Sequence, residues 1–229
     1  KYAKNPDVDA AEDIWNGGGD YTGFPTSAAE GFEVRSSDAN DTLAGTGART
    51  VRFYYLDDNY NAFDANGEWL YFDVELNGTT WVDALTTGMR IWAGKVLTSG
   101  SGNINAGDIT VRWKATTANI FAIIPTGIGQ TQISNFTIPA NWKGYLLKWK
   151  SNMQDSSANR AEMYIKVRDF GSDTFRLTEN FLITNTVADD DEPLLEYTEK
   201  TDICFRCGAI TNANGIIVAR YILQLVKNQ

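Results

Sequence analysis

Two constellations in this chain have the residue types and spacing for chemistry: Cys204 and Cys207, set as C-x-x-C, and the polar stretch that runs from Asp57 to Glu68. A C-x-x-C serves thiol redox chemistry or supplies half of a zinc site. Here it lies in TDICFRCGAI, which alternates as a strand does. A separation of three on a strand puts the side chains on opposite faces, Cys207 with Ile203 and Phe205, Cys204 with Asp202 and Arg206. No second pair completes four ligands, and no helix follows to lower a thiolate pKa. The pair therefore reads as one buried small hydrophobe and one exposed thiol. A disulfide would require the strand to be absent.

In the second stretch Asp57, Asn59, Asn61 and Glu68 stand at the first, third, fifth and twelfth positions of a calcium loop. The sixth position is Ala62 where the turn of such a loop needs glycine, and strands flank it instead of helices. These four residues form a weak calcium candidate, set against a polar hairpin loop between Leu56 and Trp69. The acidic run 189–192 reads as a solvated loop. Gly17, Gly18 and Gly19, like Gly45-Thr46-Gly47, do not precede a helix and lack the amide cradle of a phosphate loop. Asn40, Asn77 and Asn135 head N-x-S/T triplets, acceptors only in a eukaryotic secretory route.

The chain has no histidine, which removes the usual general base, the commonest zinc ligand and every Ser-His-Asp or Cys-His arrangement. Hydrolysis by two carboxylates stays open, but sequence alone places no such pair at glycosidase separation. The expectation is a protein without catalytic residues and without a cofactor. Trp69, Trp81, Trp92, Trp113, Trp142 and Trp149 all fall in or beside strands. They suit a sugar-stacking platform or, more often for aromatics on strands, core and inter-subunit packing. A formal charge of −9 with a pI near 4.6 opposes nucleic-acid binding, and Lys148, Lys150 and Arg160 are scattered singly. The longest apolar runs, 120–125 and 215–219, are too short to span a bilayer, and no charged-then-apolar leader opens the sequence.

The elements that must position these residues are strands. Val51, Phe53 and Tyr55 alternate with Arg52, Tyr54 and Leu56, and Phe72, Val74 and Leu76 alternate with Tyr71, Asp73 and Glu75. Asn77-Gly78 supplies the residue types of a type I′ hairpin turn. Strands are expected at 13–15, 31–36, 50–56, 69–76, 89–97, 109–114, 119–124, 132–138, 144–149, 162–168, 175–177, 181–184, 202–209 and 216–226. Gly- and Asn-rich turns separate them. The best helix candidate is a turn at 81–87, and 155–160 and 187–193 read as loops. This pattern predicts an all-β fold, an antiparallel two-sheet β-sandwich of jelly-roll type. A single domain is expected over 13–229, behind a flexible polar N-terminal arm, 1–12.

Five segments carry a resemblance: AGTGARTV (44–51), LNGTT (76–80), TSGSGNINAGDITV (98–111), IPTGIGQT (124–131) and FTIPANWKGYL (136–146), followed by EKTDI (199–203). In this order they resemble a group of tailed-bacteriophage virion structural proteins common in phages of aquatic bacteria. The sequence departs from that pattern at Asn141-Trp142-Lys143 and at Cys204 and Cys207. The resemblance implies a role in assembly and brings no catalytic residue with it. It implies a head decoration or cement protein, located in the virion after assembly in the bacterial host cytoplasm. The implied partners are the major capsid protein or other virion proteins, with a homo-oligomer, a trimer for instance, at local three-fold positions. A tail or head-fibre component that binds a receptor or carbohydrate is the alternative. Neither nucleic acid nor membrane is an expected partner. The apolar turns around 120–128 are expected to pack at a symmetry axis.

Overall fold

A computed structural model describes residues 1–154, 160–184, 186–189 and 195–229. Every regular element among them is a strand. The chain opens with β1 (Tyr2–Val8) and β2 (Glu12–Asp13). There follow β3 (Glu30–Ser36), β4 (Ala48–Leu56), β5 (Tyr71–Glu75), β6 (Val82–Gly88), β7 (Arg90–Ser99), β8 (Ile109–Trp113) and β9 (Ile120–Ile124). The last group is β10 (Phe136–Thr137), β11 (Trp142–Met153), β12 (Ala161–Arg168), β13 (Arg176–Ile183), β14 (Thr186–Asp189), β15 (Leu195–Tyr197), β16 (Asp202–Ile210) and β17 (Gly215–Lys227). All strand pairings between them are antiparallel. The expected fold class, an antiparallel all-β sandwich, is the one observed.

It is built twice. The chain divides into two compact units where a single domain was expected: Lys1–Tyr21 with Gln132–Gln229, and Thr22–Thr131. We call them unit 1 and unit 2. In unit 2, the sheet β6-β3-β8-β9 faces the sheet β5-β4-β7. Phe32 of β3 stacks on Phe72 of β5 with ring centroids 5.5 Å apart, and Phe121 meets Phe32 edge-on at 5.3 Å. Trp113 closes this core, fully buried, its indole N–H donating to the Gly88 carbonyl at 3.0 Å. Gly88 has to be glycine, because a Cβ there would sit 2.6 Å from the Leu56 carbonyl oxygen.

Unit 1 joins the sheet β1-β17-β11-β14, with β15 also on β11, to the sheet β10-β16-β12-β13, with β2 on β16. Phe205 of β16 stacks on Tyr221 of β17 at 5.6 Å, and Trp149 of β11 stacks on Phe181 of β13 at 4.0 Å. The expected N-terminal arm is part of this sandwich: Tyr2, Ala3, Lys4 and Asn5 pair with Arg220, Ala219, Val218 and Ile217. A strand on a sheet edge is held mainly by its main-chain ladder, so a polar sequence suffices once Ala3, Asn5 and Val8 face inward.

Three local expectations change for identifiable reasons. At Asn77-Gly78 only Gly78 has positive φ, and β5 and β6 lie in different sheets, so the turn carries the chain across the sandwich instead of closing a hairpin. The helix candidate at 81–87 is β6, an edge strand with a bulge opposite Phe32, and its residues Ala84, Leu85 and Thr86 fall outside the register. The loop expected at 187–193 begins as β14, paired with β11. Residues 155–159 and 190–194, which hold the rest of that loop, most of the loop at 155–160 and most of the acidic run, lie outside the described residues.

Candidate functional site

Asp57 is committed to its own turn. Its Oδ1 accepts the backbone N–H groups of Asn59 and Asn61, both at 2.8 Å, and its Oδ2 accepts the Asn61 amide at 3.0 Å. Glu68 belongs to a second turn, built the same way on Asp64, whose Oδ1 accepts the N–H groups of Asn66 and Glu68. The stretch that holds the weak calcium candidate is thus two successive turns, each closed by its leading aspartate. Among the described residues no group of three or more Cys, Asp or Glu is arranged to hold a metal ion.

Cys204 and Cys207 are free thiols, and both are buried. The exposed thiol expected at Cys204 is absent because Asp13, Lys166, Arg206 and Asp202 surround it. These charges come from a buried ionic cluster in which Asp13 accepts Lys166 at 2.7 Å and Arg206 at 2.9 Å. Burial pushes the Cys204 thiol well up and the Cys207 thiol to about 11, which opposes thiolate chemistry at both.

The six tryptophans in or beside the expected strands separate into four environments. Trp113 and Trp149 are core, while Trp142 opens β11 half-buried. Trp81 meets two guanidinium groups, Arg112 at 3.7 Å and Arg35 at 4.5 Å from its ring centre. Trp69 and Trp92 are half-buried on the outer face of β5-β4-β7. There the register pairs Tyr54 with Tyr71 and Arg52 with Asp73 across β4 and β5, and Arg52 with Lys95 across β4 and β7. The register of β4 and β7 shifts between Tyr54 and Tyr55, a bulge at Trp92, whose ring lies 5.2 Å from that of Tyr54. Trp69 continues the row at 4.7 Å from Trp92, anchored by its bridge to Phe63.

The segments that carry the sequence resemblance meet in two hydrogen-bonded clusters. In unit 2, buried Asp41 accepts the N–H groups of Ala48 (2.6 Å) and Ala106 (2.8 Å) on Oδ1. Its Oδ2 accepts Gly107 N–H (2.9 Å) and the Ser36 hydroxyl (2.5 Å), while its carbonyl accepts Gly78 N–H at 2.8 Å. Buried Asn105 continues the network: its amide donates to the Gly107 and Pro125 carbonyls at 2.7 and 2.8 Å, and its Oδ1 accepts Gly129 N–H at 3.0 Å. Gly100 and Gly102 N–H reach the carbonyls of Gly47 and Thr46. Segments 44–51, 76–80, 98–111 and 124–131 are thereby knitted into one turn cluster. It leaves three aliphatic side chains in solvent: Leu43 (55% exposed), Ile128 (44%) and Ile104 (37%). Of the apolar stretch 120–128, Phe121, Ala122 and Ile124 are core, Ile120 and Ile123 are half-buried, and Ile128 in the turn is exposed.

The second cluster, in unit 1, joins 136–146 to 199–203. Phe136 pairs with Ile203 and Thr137 with Asp202, and the Ile138 N–H and C=O bond Thr201 and Lys200. Asp202 also accepts the Arg168 guanidinium through Nε (3.1 Å) and Nη2 (2.5 Å), with both side chains buried. Sequence reasoning passed over Asp41 and Asn105 and placed Asp202 only as a neighbour of Cys204. Their signal was an isolated polar residue beside a glycine-rich turn or a strand start, which many solvent loops share.

No family model matches the sequence, and no curated protein does. Among solved structures, a chain of the cowpea mosaic virus empty virus-like particle is similar over 90% of this chain and 86% of its own, at 7% identity and a TM-score of 0.23. A chain of broad bean stain virus is similar over 90% of this chain and 92% of its own, at 8% identity and a TM-score of 0.21. Among the described residues no helix is long and apolar enough to cross a membrane.

Proposed function

We propose that this is a non-enzymatic virion structural protein of a tailed bacteriophage, acting as a decoration or cement protein on the head. The observation that carries this reading is the turn cluster of unit 2. Four of the motifs of the resemblance are segments that Asp41 and Asn105 lock together, and the end they form presents Leu43, Ile104 and Ile128 on a fixed backbone. A preorganised apolar end loses little conformational freedom on docking, which favours burial against a neighbouring subunit. Binding only the assembled shell then stabilises it by mass action. The major capsid protein is the proposed partner, and a homotrimer at local three-fold positions is the proposed arrangement. A second reading, a tail or head-fibre component, is favoured by the aromatic outer face of β5-β4-β7.

Co-purification tests the first reading. The chain is expected to co-sediment with shells of the major capsid protein, and the triple variant Leu43→Asp, Ile104→Asp, Ile128→Asp to stay in the supernatant with an unchanged circular dichroism spectrum. Undiminished co-sedimentation of the variant would move the docking surface elsewhere. Failure of the parent chain to sediment with shells would reject the decoration role.

A further inference from the structure

We propose that the outer face of the β5-β4-β7 sheet in unit 2 is a binding platform for a neutral glycan. Three features of that face point to a sugar. First, one rung of the sheet is aromatic and the next is charged: Tyr71, Tyr54 and the bulged Trp92 adjoin Asp73, Arg52 and Lys95. Neighbouring rungs on one face lie two residues apart, about 7 Å, which is the scale of one pyranose ring. A pyranose has an apolar C–H face and a rim of hydroxyls. The C–H face meets the electron-rich face of an aromatic ring, while carboxylate, guanidinium and ammonium groups pair with the rim.

Second, the groups are held in place before any ligand arrives. Arg52 grips Asp73 through two bonds of 2.8 Å, and its Cζ lies over Tyr71, 3.5 Å from the ring centre. Trp92 is turned outward by the bulge, and Trp69 is fixed by its bridge to Phe63. Tyr71 is nonetheless 47% exposed, so the platform is open at that end. Little side-chain ordering remains to oppose binding.

Third, the charges disfavour a polyanion. Asp73 and Glu75 stand on the same strand face, and Arg52 is already matched to Asp73. A nucleic-acid strand stacking on these rings would bring phosphates beside two carboxylates with Lys95 as the nearest counter-charge. A neutral sugar meets no such repulsion. The inference rests on this face alone and not on where the protein sits in a particle.

The test is affinity electrophoresis of the full chain in native gels containing dextran, mannan, xylan, galactan or β-glucan, with tryptophan fluorescence read in parallel. At least one polysaccharide is expected to retard the chain and shift its emission. Trp92→Ala and Tyr71→Ala should each weaken retardation about tenfold, the loss of one stacking contact. Trp81→Ala, which alters the tryptophan beside Arg35 and Arg112, should leave it unchanged. If Trp92→Ala fails to fold, Tyr71→Ala decides, since nearly half of that side chain is in solvent. No retardation by any of the five polysaccharides would overturn the proposal. So would retardation that survives Tyr71→Ala, or a face that captures capsid protein and no polysaccharide. Co-sedimentation with shells is read separately, so either proposal can fail without the other.

Discussion

Unit 1 and unit 2 are both two-sheet sandwiches, yet they satisfy their buried charges in opposite ways. In unit 1 the buried carboxylates bind cations: Asp202 takes Arg168, and Asp13 takes Lys166 and Arg206 beside the Tyr21 N–H. In unit 2 buried charges face the backbone: Asp41 takes three N–H groups, and Arg90 donates to the carbonyls of Pro25 and Met89. The consequences differ. A side-chain pair is mutual, so deleting one member strands the other in a dry site. A carboxylate bound to N–H groups dictates the path of the loops it ties.

The sharpest way to break this comparison is Asp202→Ala, which leaves the buried Arg168 guanidinium without its carboxylate. The expected cost is about 3–5 kcal/mol in urea unfolding. A loss below about 1 kcal/mol would show that the pair is dispensable and that water replaces it.

Asp41→Ala should cost somewhat less, about 2–3 kcal/mol, because several backbone donors lose one charged acceptor together. Its distinguishing mark is local. Amide exchange should accelerate at Ala48, Ala106 and Gly107 while the strands of unit 1 stay protected. Uniform acceleration across the chain would contradict a loop-organising role for Asp41.

Alkaline pH should act on unit 1 through its buried acids. Burial raises the Cys207 thiol to about 11 and pushes the Cys204 thiol and the Tyr221 phenol well above their ordinary values. An acid whose pKa is higher in the folded state keeps its proton longer there. Between the unfolded and folded values the unfolded chain therefore binds fewer protons, and stability falls as pH rises. For Cys207 the window opens near 9 and closes near 11. The urea midpoint is expected to decline across it, and Cys207→Ala to decline less steeply. Equal slopes would remove this thiol from the account. Native protein at pH 8 should likewise react slowly with a thiol reagent at both cysteines, and quickly in denaturant.

The smallest expected effect lies at the bulge of β6. Leu85 is 89% exposed with φ at +53°, a conformation that costs a β-carbon about 1 kcal/mol. Leu85→Gly should raise stability by about 0.5–1 kcal/mol. A loss of similar size would mean that the leucine makes a contact of its own.

Much of the fold was legible because alternation reports burial directly. The patterns at 31–36, 50–56, 109–114, 162–168 and 202–209 became β3, β4, β8, β12 and β16 with bounds within a few residues. What stayed hidden depends on partners distant in the chain. β1 is polar and exists because β17 offers an edge, while β6 lost its alternation to a bulge. The division into two units follows from β17 pairing both with the first residues of the chain and with β11, which leaves no composition shift at Thr22 or Thr131. The candidate surfaces were partly visible. Residue type alone marks Trp69 and Trp92 for stacking, but only the bulge at Tyr54 and Tyr55 and the 4.7 Å ring contact bring the two together. The turn motifs were seen as a sequence order. That Asp41 and Asn105 tie four of them together depends on hydrogen bonds that span from 20 to 66 residues, for which local pattern holds no signal.

The most direct test of the proposed virion role is cryo-electron microscopy of the purified phage particle. Density for both sandwiches at regular positions on the head, with the Leu43, Ile104 and Ile128 end against the capsid subunits, is the predicted result. Density confined to the tail or a fibre would contradict the cement role, and absence from the particle would contradict a structural role in the virion altogether.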